Sequence, residues 1–302
     1  MKPQLLVKGM LGIGDVIHER AVLRELMKQY DVTLDGWYPS IAHDLIDEGL
    51  RFHLLTPAGR AAPRIKDAGN ASAVKTSPKA QHAKLTYDPG SIKRYGSILA
   101  AQFASCGLKM PERADFSLPV KQEWRDKAKA LISTWDMGGK PLLIYRPIVL
   151  NKFWECPSRS PDPSAYALLF AEIRDRFFVV SIADLTQQEW IVGPEQEADA
   201  KLHQGEADFE TLAGLFAEAK LVFSNPGFSP ILAQAVGTPG IIVYGGNESF
   251  RTTNSVGAHL APTLAIEPDA PCECHARTHD CDKRITLGPA VDKLKQFAGR
   301  YA

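Results

Sequence analysis

Strand-like apolar runs alternate with helix-like segments along most of this 302-residue chain, and that alternation restricts it to a parallel α/β architecture. "QLLVKG" (4–9) reads as a buried strand. After the turn "GMLGIGD", Val16, Leu23, Leu26, Met27 and Tyr30 recur at helical spacing, and "DVTLDGW" supplies a second strand, so the start is a βαβ unit. From about Ala58 to Lys84 the pattern dissolves into Pro, Gly, Ala, Ser and Lys, which reads as a long surface excursion. Helices are expected over 91–108 and 123–135, and the Gly-Gly-Lys-Pro turn that follows sets a domain boundary. The second half repeats this alternation, with strands at 141–147, 177–184, 220–227 and 238–246, helices at 161–176, 208–219 and 228–237, and a final helix at 288–302. Both halves are therefore read as Rossmann-like, with a ligand cleft between them. The expected divisions are 1–137, 138–286 and a C-terminal helix, 287–302, that packs back towards the first domain.

Composition excludes several classes. Lys plus Arg and Asp plus Glu number 35 each, so no global field draws the chain to nucleic acid or membrane. No apolar run approaches the roughly 18 residues of a membrane span, and the start lacks a signal-peptide pattern. Five cysteines, three of them between Cys272 and Cys281, do not form a spaced disulfide framework. A cytoplasmic setting is expected.

The glycine turn fits neither common phosphate cradle. A dinucleotide fingerprint beginning at Gly12 needs glycine where Ile17 stands, and a Walker loop needs Gly-Lys-Ser/Thr. Asp15 is either a helix cap or a chemical group at the carboxyl end of the first strand.

The stretch "LVFSNPGFSPILAQAVGTPGIIVYGG" (221–246) resembles the donor-binding segment of glycosyltransferase family nine, the ADP-heptose:lipopolysaccharide heptosyltransferases and their relatives. Asn225, Pro226 and Gly227 stand where that family carries Asp, Thr/Ser and Gly, and Pro230 stands where it carries His. "GDVIHERAVLREL", from Gly14 to Leu26 with Asp15 and His18, resembles the family's first motif. The resemblance covers roughly 5–30 and 141–250. It implies a GT-B fold, α/β with two Rossmann-like domains facing each other across a cleft. The first is then the acceptor side and the second the nucleotide-sugar donor side.

What the resemblance implies about chemistry is a metal-independent, inverting sugar transfer with Asp15 as the general base. Backbone amides at Gly227, Phe228 and Ser229 would hold the departing diphosphate, and Gly12, Gly14, Asn225, Tyr244 and Gly245 would border the donor. Lys152, in "NKFW", matches the family's donor-phosphate lysine, with an ordinary loop lysine as the other reading. Glu195 and Glu197 match its nucleoside-contacting acidic region, with a solvated helix start as the other reading. Beyond the nucleotide sugar itself no cofactor is required. "CECHARTHDC" (272–281) offers Cys272, Cys274, His279 and Cys281 as a structural zinc site, or else is a cysteine-rich surface loop.

Basic residues outnumber acidic ones between Arg51 and Arg94, and Arg60, Arg64, Lys66, Lys93 and Arg94 are the candidate acceptor contacts. An anionic acceptor follows, either phosphorylated lipopolysaccharide-type glycan or a hydroxylated base in DNA. A nucleotide-sugar epimerase on the same scaffold and a non-catalytic nucleotide-sugar or nucleic-acid binder are the alternative functions. Oligomeric state is not legible.

Overall fold

The computed structural model describes residues 2–55, 80–152 and 155–302. It divides into two compact units, Met1–Pro119 and Val120–Ala302. In the first, strand β1 (Gln4–Lys8) leads into helix α1 (Ile13–Gln29), then β2 (Asp31–Gly36), α2 (His43–Asp47), β3 (Arg51–Leu54), β4 (Gln81–Lys84), α3 (Pro89–Tyr95) and α4 (Ile98–Ser105). The sheet is parallel with order β3-β2-β1-β4. Val7, Val32 and Leu34 from the sheet are buried with Ile17, Val22 and Leu23 from α1, which is how the apolar periodicity of both elements is satisfied.

Two details depart from the sequence reading. The excursion assigned to 58–84 ends in a strand, β4, whose alternation is obscured by its polar residues. The helix expected over 91–108 is two helices, because Gly96 adopts a left-handed φ of 88° and Ser97 caps the next helix by accepting from Ala100 N at 3.1 Å.

The second unit contains α5 (Gln122–Ile132), β5 (Leu142–Tyr145), β6 (Val149–Asn151), α6 (Pro163–Ala171), β7 (Phe178–Ile182), β8 (Glu189–Ile191), β9 (Ala200–Leu202), α7 (Phe209–Glu218), β10 (Leu221–Ser224), α8 (Phe228–Val236), β11 (Gly240–Val243), β12 (Thr263–Ile266) and α9 (Leu287–Ala298). Its six-stranded parallel sheet runs β12-β11-β10-β5-β7-β9, and β6 and β8 form a separate antiparallel pair. Tyr145 stacks on Phe170 with ring centroids 4.0 Å apart, and Phe223 tilts against both.

The units divide between Pro119 and Val120, not at the Gly138–Gly139 turn. The cause is the packing of α5. A Cβ on Gly214 of α7 would lie 2.2 Å from Trp124 O, so the missing side chain lets α5 press its backbone onto α7 within the second unit. The final helix also belongs to this unit: Leu294, Phe297 and Ala298 of α9 lie in the same apolar core as Phe170 of α6 and Ile266 of β12.

Candidate functional site

Each unit carries a polar constellation at the carboxyl ends of its parallel strands, where open α/β sheets receive ligands. In the first unit, Gly12 is the N-cap of α1 and Asp15 lies in the first turn. Asp15 is thus not the helix cap that one reading of the sequence allowed. A Cβ on Gly12 would lie 2.6 Å from Asp15 Oδ2, so glycine there lets the carboxylate fold back over the turn. Tyr87, after β4, donates its hydroxyl to Asp15 Oδ1 at 2.9 Å. Gln102, fully buried on α4, donates to Asp15 O at 3.4 Å. His18, the other motif residue, is a core side chain: it meets Phe116 edge-on at 4.9 Å, and burial lowers its pKa to about 3, so it is neutral at physiological pH.

Beside Tyr87 opens a groove of about 470 Å³ lined by Ser91, Arg94, Tyr95 and Ser105 among others. Lys93 and Arg94 are both exposed, and the Arg94 guanidinium lies 5.3 Å from the Tyr95 ring centroid. Arg60, Arg64 and Lys66 lie outside the described residues.

In the second unit, β10 ends in Ser224 and the chain runs through Asn225 and Pro226 to Gly227, whose φ of 153° favours glycine. A Cβ there would touch nothing within 4 Å, so the approach to the start of α8 is open. Pro230 falls in the first helical turn, where a missing N–H costs little, and the amides of Gly227, Phe228 and Ser229 have no intrahelical acceptors. The Ser224 and Ser229 hydroxyls are buried without a hydrogen-bond partner. Such an end bears the positive pole of the helix and unpaired amides, the features that suit an anion.

Sequence reasoning passed over Arg146. It follows β5, and its guanidinium sits 5.2 Å from the Phe228 ring centroid while Nη1 donates to Ile182 O at 3.1 Å. Tyr166 donates to Arg146 O at 2.6 Å and fixes the backbone. Burial lowers the Arg146 pKa and nearby Glu189 partly offsets it, yet a guanidinium stays charged. The available signal was an arginine placed directly after a fully apolar strand.

The other expected donor contacts separate. Lys152 is exposed beside the β6–β8 pair. Glu195 pairs with Lys201 at 2.5 Å and lines a crevice with Ser181 and His203. Glu197 points to solvent, 84% exposed, and pairs with Arg174. Tyr244 is a core residue: its hydroxyl lies 3.0 Å from Thr253 Oγ1 and donates to Asn254 Oδ1 at 2.9 Å. Gly245 is a packing glycine, since a Cβ would lie 2.2 Å from Ser160 O.

Cys272, Cys274, His279 and Cys281 converge, with all four ligand atoms within 4.8 Å of one another. The Cys272–His279, Cys274–Cys281 and His279–Cys281 separations are 3.6, 3.6 and 3.3 Å. A tetrahedron of thiolates about 2.3 Å from a metal has edges of about 3.8 Å, so the cluster fits a closed site. Glu273 and His275 flank Cys274 with φ of 51° and 53°, unusual for side-chain-bearing residues and the reason a C-x-C pair can converge here.

The α/β fold with parallel sheets is shared with solved glycosyltransferase structures. The enterotoxigenic E. coli iron-containing dodecameric glycosyltransferase TibC is similar at 12% identity, over 99% of this chain and 78% of that one, with a TM-score of 0.62. E. coli ADP-heptose lps heptosyltransferase II is similar at 16% identity over 98% and 99%, TM-score 0.60, and a family 9 glycosyl transferase of Veillonella parvula DSM 2008 at 12% over 87% and 85%, TM-score 0.58. At these identities the likeness establishes the fold. The sequence matches no family profile and no curated protein. Among the described residues, no helix is long and apolar enough to cross a membrane.

Proposed function

We propose that the protein is an inverting glycosyltransferase that moves a sugar from a nucleoside-diphosphate donor to a hydroxyl of an anionic acceptor. The observation that carries this reading is the start of α8, open at Gly227, with the Arg146 guanidinium 5.2 Å from the ring of its first residue, Phe228, in a fold shared with an ADP-heptose transferase. The acceptor hydroxyl gives its proton to the Asp15 carboxylate as its oxygen attacks the anomeric carbon. The bond from that carbon to the diphosphate oxygen breaks, and its electron pair leaves with the diphosphate. Charge growing on the leaving group meets the α8 amides and the Arg146 guanidinium, and this chemistry asks nothing of a metal. Lys93 and Arg94 would meet the anionic acceptor.

Nucleoside diphosphates test the reading. The melting temperature of the full chain is expected to rise by a few degrees with one of UDP, GDP, ADP, CDP or dTDP at about 100 times its Kd, which corresponds to about 2.7 kcal/mol. Arg146→Ala should lose most of that rise. A panel that leaves the melting temperature unmoved, while NAD or DNA shifts it, would overturn the assignment.

The Cys272–Cys281 cluster is read as a structural zinc site, its role being to clip the loop that carries Glu273 and His275. That loop is joined to the chain after β11 by Glu273 N donating to Gly246 O at 2.8 Å and by Asn247 donating to Ala276 O at 2.6 Å. Elemental analysis of protein purified without chelator should find about one zinc per chain, lost in Cys274→Ser/Cys281→Ser, and chelation should lower the melting temperature. TibC is described as iron-containing, and thiolate-rich sites take either metal, so iron in that analysis would revise the identity and no metal would refute the site.

A further inference from the structure

One buried acid in the first unit is not used by the proposed chemistry. Glu19 lies one turn after Asp15 on α1 and is 1% exposed. Its Oε1 accepts from Met10 N, and a Cβ on Gly9 would lie 3.0 Å from its Oε2, so the carboxyl fills the space directly beneath the glycine turn. The turn has two further ties: Gly9 N donates to Asp35 O at 2.9 Å, and Gln102 donates to Met10 Sδ at 3.4 Å as well as to Asp15 O. Met10 is thereby gripped by two buried side chains, one of which also holds the backbone of Asp15.

Among the described residues no Lys, Arg or His pairs with Glu19. An ionised carboxylate buried without a cation is strongly disfavoured, whereas a protonated one still accepts from an amide and adds an O–H donor. Gln102 Oε1, buried in the same neighbourhood, lacks a donor. The groups facing Glu19 are the Asp15 carboxylate from its own helix and the Cys106 thiol beyond α4, neither of which supplies positive charge.

We propose that Glu19 is a positioning residue for Asp15, fixing the Gly9–Gly12 turn through Met10 N–H as an uncharged acid. Burial pushes its pKa well above the usual carboxylate range, against the Met10 amide that lowers it, and the neighbouring Asp15 charge adds a smaller upward push. The turn against which the Asp15 carboxylate folds is then held from below. A permanent charge at position 19 would compete with Asp15 for the same proton.

The inference rests on Asp15 being the base, but its test is independent of turnover. In full-length protein carrying ¹³C-labelled glutamate, with the signal assigned by its loss in Glu19→Gln, Glu19 should report a protonated carboxyl at pH 7. The Met10 amide should exchange with solvent about tenfold faster in Glu19→Ala and within a factor of about three of wild type in Glu19→Gln, which keeps an acceptor oxygen and no charge. A raised acid pKa makes stability fall as pH rises from the unfolded value towards the folded one, so the Glu19→Gln melting temperature should exceed wild type at pH 8 and the difference should shrink below pH 4. A carboxylate signal at pH 7, or a Glu19→Gln Met10 amide that exchanges as fast as in Glu19→Ala, would overturn the proposal. If Glu19→Ala does not fold, the carboxyl signal and the Glu19→Gln pH dependence still decide it. Where transfer is assayed, Glu19→Gln should retain the wild-type pH–rate profile. Failure of the transferase reading would show instead as absent turnover with the Glu19 signal unchanged.

Discussion

Asp15→Asn is expected to lower sugar transfer by about 10² to 10⁴-fold while donor binding changes by less than about threefold. The amide has nearly the same shape and still accepts from the Tyr87 hydroxyl, so the geometry at Asp15 Oδ1 survives. What disappears is the ability to take a proton from the acceptor hydroxyl. Donor affinity should hold because the diphosphate contacts proposed at Gly227, Phe228, Ser229 and Arg146 all belong to the second unit. Transfer is measured as release of the nucleoside diphosphate in the presence of acceptor, and donor Kd by calorimetry. An Asn variant with undiminished transfer would remove Asp15 from the chemistry and leave its carboxylate a role in ordering the glycine turn. Tyr87→Phe provides the graded companion, since it leaves the carboxylate intact and removes only the hydroxyl that orients it.

The largest stability effect is expected at Arg20. Its side chain is 1% exposed, pairs with both Asp44 oxygens at 2.7 Å, and donates to Ser117 O at 2.9 Å and to Ile41 O. One guanidinium therefore ties α1 to α2 and to the segment after α4. Arg20→Met should cost about 3–5 kcal/mol in urea unfolding, because it takes the bidentate partner from a half-buried Asp44, the guanidinium donor from Ile41 O, and the shorter bonds from Ser117 O, to which only Arg24 still donates at 3.2 Å. Arg24, 3.1 Å from Asp44, rescues only a fraction of the loss. Burial alone would raise the Asp44 pKa, but its bonds and proximity to Arg20 outweigh that and hold it low. A lowered acid pKa contributes stability above the unfolded value that is lost as pH falls through the folded one. The difference between Arg20→Met and wild type should therefore narrow in acid. A loss below about 1 kcal/mol at pH 7 would mean that the network is no stronger than a surface pair.

Much of this was legible along the chain. The βαβ start, the run from β10 through Gly227 and α8 to β11, and the convergence of Cys272, Cys274, His279 and Cys281 are local features, set by apolar periodicity, by glycine and proline at turns, and by short ligand spacing. The sequence also nominated Asp15 and the amides at the head of α8, which the structure places where a strand hands over to a helix and which carry the proposed function. Errors came where local signals compete. Gly96 and Ser97 ended one helix and began another inside a stretch whose apolar spacing reads as continuous, and polar β4 hid in a Lys-, Gly- and Pro-rich segment.

What the sequence determined was the order of elements and the residue types at their junctions, because hydrophobic periodicity and turn residues act over a few positions. Tertiary structure alone decided which residues meet across long stretches of chain: Tyr87 with Asp15, Arg146 with Phe228, and α5 with α7 through Gly214. It also decided which polar residues are interior, so that Tyr244 and His18 belong to the core and Glu19 lies beneath the turn that Asp15 overlies. The physical reason is that burial and long-range packing depend on sheet order and helix contact, which no window of neighbouring residues encodes.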